Sequence, residues 1–348
     1  MKHIFTVHSP ITFFCAQSVI LFEKLQKEDV IFYYADYKPV SDLGQVVPSF
    51  QEKNKSLWKK VQTFNLVKAT DSYLNEICGG DEITAYIDLV HYHQKILITH
   101  ENCRAFHFIE EGTASYIAAD DLPELTRIEK ETFRIRNTTE IFRNVFRLLR
   151  GFNLKILALP YFANAFMHFS QMKFYTFSEF CYPGVPFNQK IILDPKSMVF
   201  RGNTLEVAAG VSGKIILIEE SFFRVFKISE EESERVHYES LLVIANRYPG
   251  REIVVKLRPN QSKLNSYWIK ALKQQGITYE LNDSNLPLEE QLIKANNCLL
   301  FGTVSSLLFY GSIYGHESYS NYPKLSVLPR SSFAGADYYW ENVKELGL

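Results

Sequence analysis

Two α/β units, each built on a doubly wound parallel sheet, are predicted for this 348-residue chain. Three observations carry the prediction. The chain is longer than one hydrophobic core usually organises. Short apolar runs alternate with stretches of helical apolar spacing in both halves, which is the pattern of strands joined by crossover helices. That alternation becomes irregular between residues 131 and 190 and restarts cleanly near 213.

In the first half, residues 3–7 read as a strand and "ITFFCAQSVILFEKLQ" as the helix that follows it. "DVIFYYAD" (29–36) is a second strand, "AYIDLVHYHQKILITH" (85–100) mixes helix and strand signals, and "RAFHFIEEG" closes the series. "TTEIFRNVFRLLRGF" (138–152) is a helix with Arg143, Arg147 and Arg150 at spacings of four and three, beside Phe142, Phe146 and Leu149. One reading packs its apolar side on the core. The other lays a basic amphipathic face against a membrane.

In the second half, "GKIILIEE" is a strand and "SEEESERVHYESLLVIANRYPG" (229–250) a helix with a capping-box start. "EIVVKLRPN" is a strand running into a loop, "KLNSYWIKALKQQG" a helix and "ITYEL" a strand. "LPLEEQLIKAN" is a helix, "NCLLFG" a strand, "TVSSLLFYGSIYG" a helix and "KLSVL" (324–328) a last strand. Two Rossmann-like units joined in this way describe the GT-B architecture, with a central cleft between the carboxyl ends of the two sheets. The expected units are residues 1–190 and 191–348.

Composition narrows the function. With 46% apolar and 22% charged residues the chain is an ordinary globular protein, and a net charge of −1 argues against a nucleic-acid partner. The five cysteines, Cys15, Cys78, Cys103, Cys181 and Cys298, are scattered and form no CxxC pair. They read as buried reduced thiols and not as a disulfide framework or zinc site. "MKHIFTVHSP" lacks the apolar run of a signal peptide. A cytoplasmic location follows as the expectation, with the inner membrane as the place of a peripheral contact. No feature of the sequence fixes the oligomeric state.

Chemistry is expected at the strand exits. From the first unit these are His8 and Ser9, then Glu110 and Glu111 in "FHFIEEGTASY". Adjacent acids at the end of an apolar run are costly unless solvated or used, which leaves a turn, a metal site or a catalytic base. From the second unit come Glu219 and Glu220, Lys256 with Arg258 and Pro259, and Gly302 through Ser306. Thr303, Ser305 and Ser306 stand at a helix start whose unpaired N–H groups suit an anion, although capping needs a hydroxyl there anyway. Gly302 would let a ligand approach the backbone. Arg258 is a permanent bidentate donor for phosphate, or else a surface ion-pair partner. Glu289 and Glu290 open a helix, as dipole partners or as readers of ribose hydroxyls. His91 and His93 lack a further ligand and read as structural. No metal site is expected.

An acidic pair with Gly, then a basic residue with Pro, then a Ser-Ser pair resembles the bacterial sialyltransferases. These are the lipooligosaccharide sialyltransferases and capsular polysialyltransferases, which carry acidic-acidic-Gly and His-Pro motifs. The resemblance spans both units and implies an inverting, metal-independent transferase. Its donor would be CMP-sialic acid, its acceptor a hydroxyl of a bacterial surface glycan, and no cofactor would be needed beyond the nucleotide sugar. It implies a base at Glu110 or Glu111, with Glu111 favoured for its place beside Gly112. Ser305 and Ser306 would hold the phosphate and Glu289 or Glu290 would contact the cytidine. Glu219 or Glu220 would be the base if the lipooligosaccharide branch is the guide. This chain has Arg258-Pro259 where the family has His-Pro, and arginine stabilises a leaving phosphate without protonating it. The alternatives are a GT-B transferase for another activated sugar (Kdo, another nonulosonic acid or a neutral nucleotide sugar) and a catalytically weak nucleotide-sugar-binding protein.

Overall fold

A computed structural model of the chain describes residues 1–54, 65–116, 138–195, 210–220, 223, 228–258, 261–283, 286–325 and 337–347. The chain divides into two compact units, Met1–Met198 and Val199–Leu348.

The first unit carries a seven-stranded sheet of order β3-β2-β1-β4-β5-β6-β7. Its strands are β1 (Lys2–Val7), β2 (Val30–Tyr34), β3 (Gln45–Pro48), β4 (Ile83–Ile87), β5 (Cys103–Ile109), β6 (Phe174–Thr176) and β7 (Lys190–Ile192). Every pairing is parallel. The central strands are covered on both faces, which is why they read as apolar runs without alternation; all five residues of β4 are buried. The chain enters α1 (Pro10–Phe22) through Ser9, whose hydroxyl caps Thr12 N–H while the Thr12 side chain returns to the Ser9 backbone. Pro10 at the first helical position costs no hydrogen bond. The other longer helices are α2 (Leu66–Cys78), α3 (Tyr92–Ile98) and α4 (Thr138–Leu149).

The mixed signal of residues 85–100 resolves into the end of β4 followed by α3. The irregular stretch before residue 190 contains β6, and β7 runs past that residue to complete the first sheet. Short strands of this kind carry too little periodicity to stand out in a sequence.

The second unit has a six-stranded parallel sheet of order β10-β9-β8-β11-β12-β13. The strands are β8 (Ile215–Ile218), β9 (Ile253–Lys256), β10 (Glu280–Leu281), β11 (Leu299–Gly302), β12 (Glu317–Ser320) and β13 (Lys344–Glu345). Its longer helices are α5 (Glu230–Arg247), α6 (Tyr267–Gln274), α7 (Leu288–Lys294) and α8 (Ser306–Ile313). Leu217, Leu241, Val255, Trp268, Leu272 and Phe301 lie in the core between sheet and helices. The expected last strand at 324–328 falls largely outside the described residues. Lys324 ends a 3₁₀ turn, residues 326–328 lie outside the described residues, and the strand beside β11 is β12, "ESYS". Its polar composition hides it, yet Ser318 and Ser320 are buried.

In both sheets the strand order reverses beside the first strand, between β1 and β4 and between β8 and β11. Loops leave in opposite directions there, so the carboxyl ends of those strands form a crevice.

Candidate active site

At the reversal point of the first sheet three strand exits bring His8, Asp88 and Glu111 together. His8 follows β1, Asp88 follows β4 and Glu111 follows β5. His8 Nδ1 lies 2.6 Å from Asp88 Oδ2, and His8 Nε2 lies 3.6 Å from Glu111 Oε1. Asp88 is buried, and its other oxygen accepts from Thr6 Oγ1 at 3.0 Å and Gln94 Nε2 at 2.8 Å. Burial works against a charged His8, but the Asp88 carboxylate outweighs it, and with Glu111 raises the imidazole pKa to about 10. Burial likewise opposes an ionised Asp88, and the His8 charge outweighs it and holds the carboxyl below its ordinary range. His8 is therefore an imidazolium at neutral pH, aimed by Asp88 at Glu111.

Glu110 and Glu111 part company. Successive side chains leave an extended strand end in opposite directions. Glu110 is fully buried, and its carboxylate accepts the Phe177 N–H at 2.7 Å. Glu111 is partly open, with a side chain 19% exposed. One of its oxygens faces His8. The other, Oε2, is buried with no hydrogen-bond partner among the described residues, an arrangement that calls for an explanation in function. Gly112 takes φ of 146°, which favours glycine, and the Glu111 N–H donates to Ser115 Oγ at 3.0 Å. The acidic-acidic-Gly sequence thus buries Glu110 and turns Glu111 toward His8, with its side chain partly open. Ser9 is occupied as the cap of α1.

At the reversal point of the second sheet the two acids after β8 are both engaged. Glu219 accepts from Ser266 Oγ at 2.6 Å, Trp268 N–H at 3.0 Å and Gln261 Nε2 at 3.1 Å, and so anchors the start of α6. Glu220 accepts the N–H groups of Thr303 and Val304, the latter at 2.8 Å. Burial raises Glu220 to about 7, against those hydrogen bonds. The backbone donors expected to receive a phosphate are thus held by the chain's own carboxylate. Gly302 makes room for it, since a Cβ there would meet Glu220 Oε1 at 2.5 Å.

The hydroxyls at this helix start divide similarly. Thr303 Oγ1 donates to Asn321 Oδ1 at 2.8 Å, and Ser305 caps the Leu307 N–H at 3.2 Å. The Ser306 hydroxyl has no hydrogen-bond partner among the described residues. Arg258 lines a pocket of about 150 Å³ with Glu219, Glu220, Tyr267 and Lys270. Lys256 ends β9, and its charge draws Glu289 down while burial, the larger effect, pushes it up. Pro259 lies outside the described residues. His91 accepts or donates to Tyr161 Oη at 2.8 Å, at the start of α3. Among the described residues no three His, Cys, Asp or Glu side chains group to hold a metal ion.

Residues 3–318 match the family model of the alpha-2,8-polysialyltransferases (POLYST). The chain belongs to the alpha-2,8-polysialyltransferase family. It is thus a sialyl-type glycosyltransferase, acting with a nucleotide-sugar donor and a glycan acceptor. No curated protein matches this chain. Among solved structures it is similar to a UDP-GlcNAc 2-epimerase from Methanocaldococcus jannaschii, at 10% identity over 100% of this chain and 89% of that one, with a TM-score of 0.49. It is similar to a glycosyltransferase from Rickettsia africae at 10% identity, covering 98% and 88%, with a TM-score of 0.40. A UDP-GlcNAc 2-epimerase from Neisseria meningitidis gives 13% identity, 92% and 82%, and a TM-score of 0.42.

Asp88 was not among the residues singled out from the sequence. Its signal is an aspartate ending the buried run "ITAYID", but its partners come from other strand exits.

Proposed function

We propose that this polysialyltransferase-family chain is an inverting, metal-independent enzyme that moves sialic acid from CMP-sialic acid to a hydroxyl of a bacterial surface glycan, in the cytoplasm. The observation that carries the reading is Glu111: a partly open carboxylate with one oxygen unpartnered among the described residues, beside an imidazolium, at the reversal point of the first sheet.

Glu111 takes the proton of the acceptor hydroxyl as that oxygen attacks the anomeric carbon of the sialic acid. The bond from that carbon to the phosphate oxygen breaks, and CMP leaves with the electron pair. His8 does not accept the proton, since it already carries one. It holds Glu111 in place and balances its charge, and Asp88 holds His8. On the donor side, Arg258, Lys256 and the Ser306 hydroxyl stabilise the departing phosphate electrostatically. Glu289 contacts the cytidine. Glu219 and Glu220 shape the walls of this region and are not the base, because their oxygens are already engaged.

Thermal shift with nucleotides tests the donor class, since a ligand that binds only the folded state raises the melting temperature. CMP and CMP-sialic acid stabilise the protein and UMP and GMP do not. Incubation with CMP-sialic acid and sialylated or galactoside acceptors releases CMP at the same rate with and without EDTA. Equal stabilisation by UMP would remove the cytidine assignment, and turnover that stops in EDTA would remove metal independence.

A further inference from the structure

Helix α4 presents its apolar side away from the protein. Ile141, Phe142, Val145, Phe146, Leu148 and Leu149 are all exposed, Phe142 at 76% and Phe146 at 59%. On a helical wheel these six fill one continuous arc. Asn144, next to Leu148 on the wheel and across it from Phe142 and Phe146, is 7% exposed. The usual order is thus inverted: a polar residue faces inward and the apolar arc faces out. Core packing of the apolar side, one of the two readings of "TTEIFRNVFRLLRGF", is corrected by these exposures.

The charges of this segment are predominantly positive, Glu140 in the first turn of α4 being its one acid. Residues 141–155 contain Arg143, Arg147, Arg150 and Lys155 and no acid. Arg150 lies over the Phe146 ring, 5.7 Å from its centroid, and Leu154, just beyond the helix, is 67% exposed. Exposed apolar patches of this kind mark interaction sites.

We infer that α4 is an in-plane membrane anchor that docks the enzyme on an anionic lipid surface. Cations flanking an apolar arc match a bilayer interface, where rings and aliphatic chains enter the acyl boundary and guanidinium groups meet lipid phosphates. A second copy of the chain fits worse, because a two-fold contact would set this net-positive segment against itself. A polyanionic glycan would use the arginines and leave the aliphatic arc in water. Among the described residues no helix is long and apolar enough to cross a membrane, so the contact is peripheral.

Co-sedimentation of the full chain with phosphatidylcholine vesicles, with and without phosphatidylglycerol, tests the docking. The protein pellets with the phosphatidylglycerol vesicles, and high salt releases it. The double variant Phe142→Ser/Phe146→Ser keeps its melting temperature and its CMP release on a water-soluble acceptor, and partitions at least about tenfold more weakly. Arg143→Gln/Arg147→Gln loses about thirtyfold, since each basic residue near the surface is worth about 1 kcal/mol. Failure of the wild type to pellet with phosphatidylglycerol vesicles overturns the proposal. So does unchanged partitioning of the Phe variant, or a wild-type dimer that this variant converts to a monomer without vesicle binding. Failure of CMP release alone would instead count against the enzymatic reading, leaving the lipid contact to be judged from the pellets.

Discussion

His8 Nδ1 sits 2.6 Å from the buried Asp88 carboxylate, so that its other nitrogen is aimed at Glu111. The pair fixes the imidazole as a cation and as a brace. Its energetic signature is a pH dependence. The folded pKa of His8, about 10, lies above its ordinary 6.5, so this contribution to stability is complete below about pH 6.5 and is lost as pH rises toward 10. Asp88, held below its ordinary 3.8, contributes above that pH and loses its share on acidification. Asp88→Asn therefore destabilises most between about pH 5 and 6.5, by about 1–3 kcal/mol. Breaking a fully buried pair costs more, but His8 is about a third exposed. Thermal melts of both proteins across pH check this, and a gap that does not narrow by pH 10 contradicts it.

Glu110→Ala is a stability variant. It leaves the buried Phe177 N–H without its acceptor, at a cost of about 1–3 kcal/mol. Melting temperature falls while turnover per folded molecule stays within a few-fold of wild type. A turnover loss of about a hundredfold at unchanged stability would give Glu110 the role assigned to its neighbour.

Much of this was legible in the sequence, and what was not has a common cause. Buried parallel strands announce themselves as apolar runs, so β1, β2, β5, β8, β9 and β11 and the acids at their exits could be read directly. Asp88 could not, because its meaning depends on Thr6, His8 and Gln94, which the fold brings to it from elsewhere. The acid pair at 219–220 was visible, but not that Glu220 would take the Thr303 and Val304 N–H groups, since a long-range hydrogen bond leaves no local trace. In α4 the amphipathic pattern was plain, and periodicity cannot say which side meets the core.

Glu220 makes the second unit sensitive to pH in a predictable sense. Its folded pKa of about 7 lies above its ordinary 4.5. The native state then holds more proton than the unfolded chain between those values, and stability falls as pH rises through that range. Glu220→Gln lacks this decline, so its melting temperature relative to wild type climbs between about pH 5 and pH 8. A difference independent of pH would show that Glu220 titrates normally.

Arg258→Ala weakens donor binding. A charged hydrogen bond to phosphate is worth about 1.5–3 kcal/mol, so KM for the donor rises about ten- to hundredfold and transfer slows. Arg258→His restores part of the rate if the family's His-Pro role is conserved in kind. Steady-state kinetics that leave both KM and kcat unchanged in the alanine variant would remove Arg258 from the site.

The most direct measurement is kcat for CMP release by Glu111→Gln at saturating donor. The substitution keeps size and removes the proton acceptor. A general base contributes about 10²–10⁴-fold, so kcat falls by at least about a hundredfold while melting temperature and CMP-induced stabilisation stay at wild-type values. Wild-type turnover from Glu111→Gln, with the loss appearing in Glu219→Gln or Glu220→Gln, would place the base in the second unit and contradict the account.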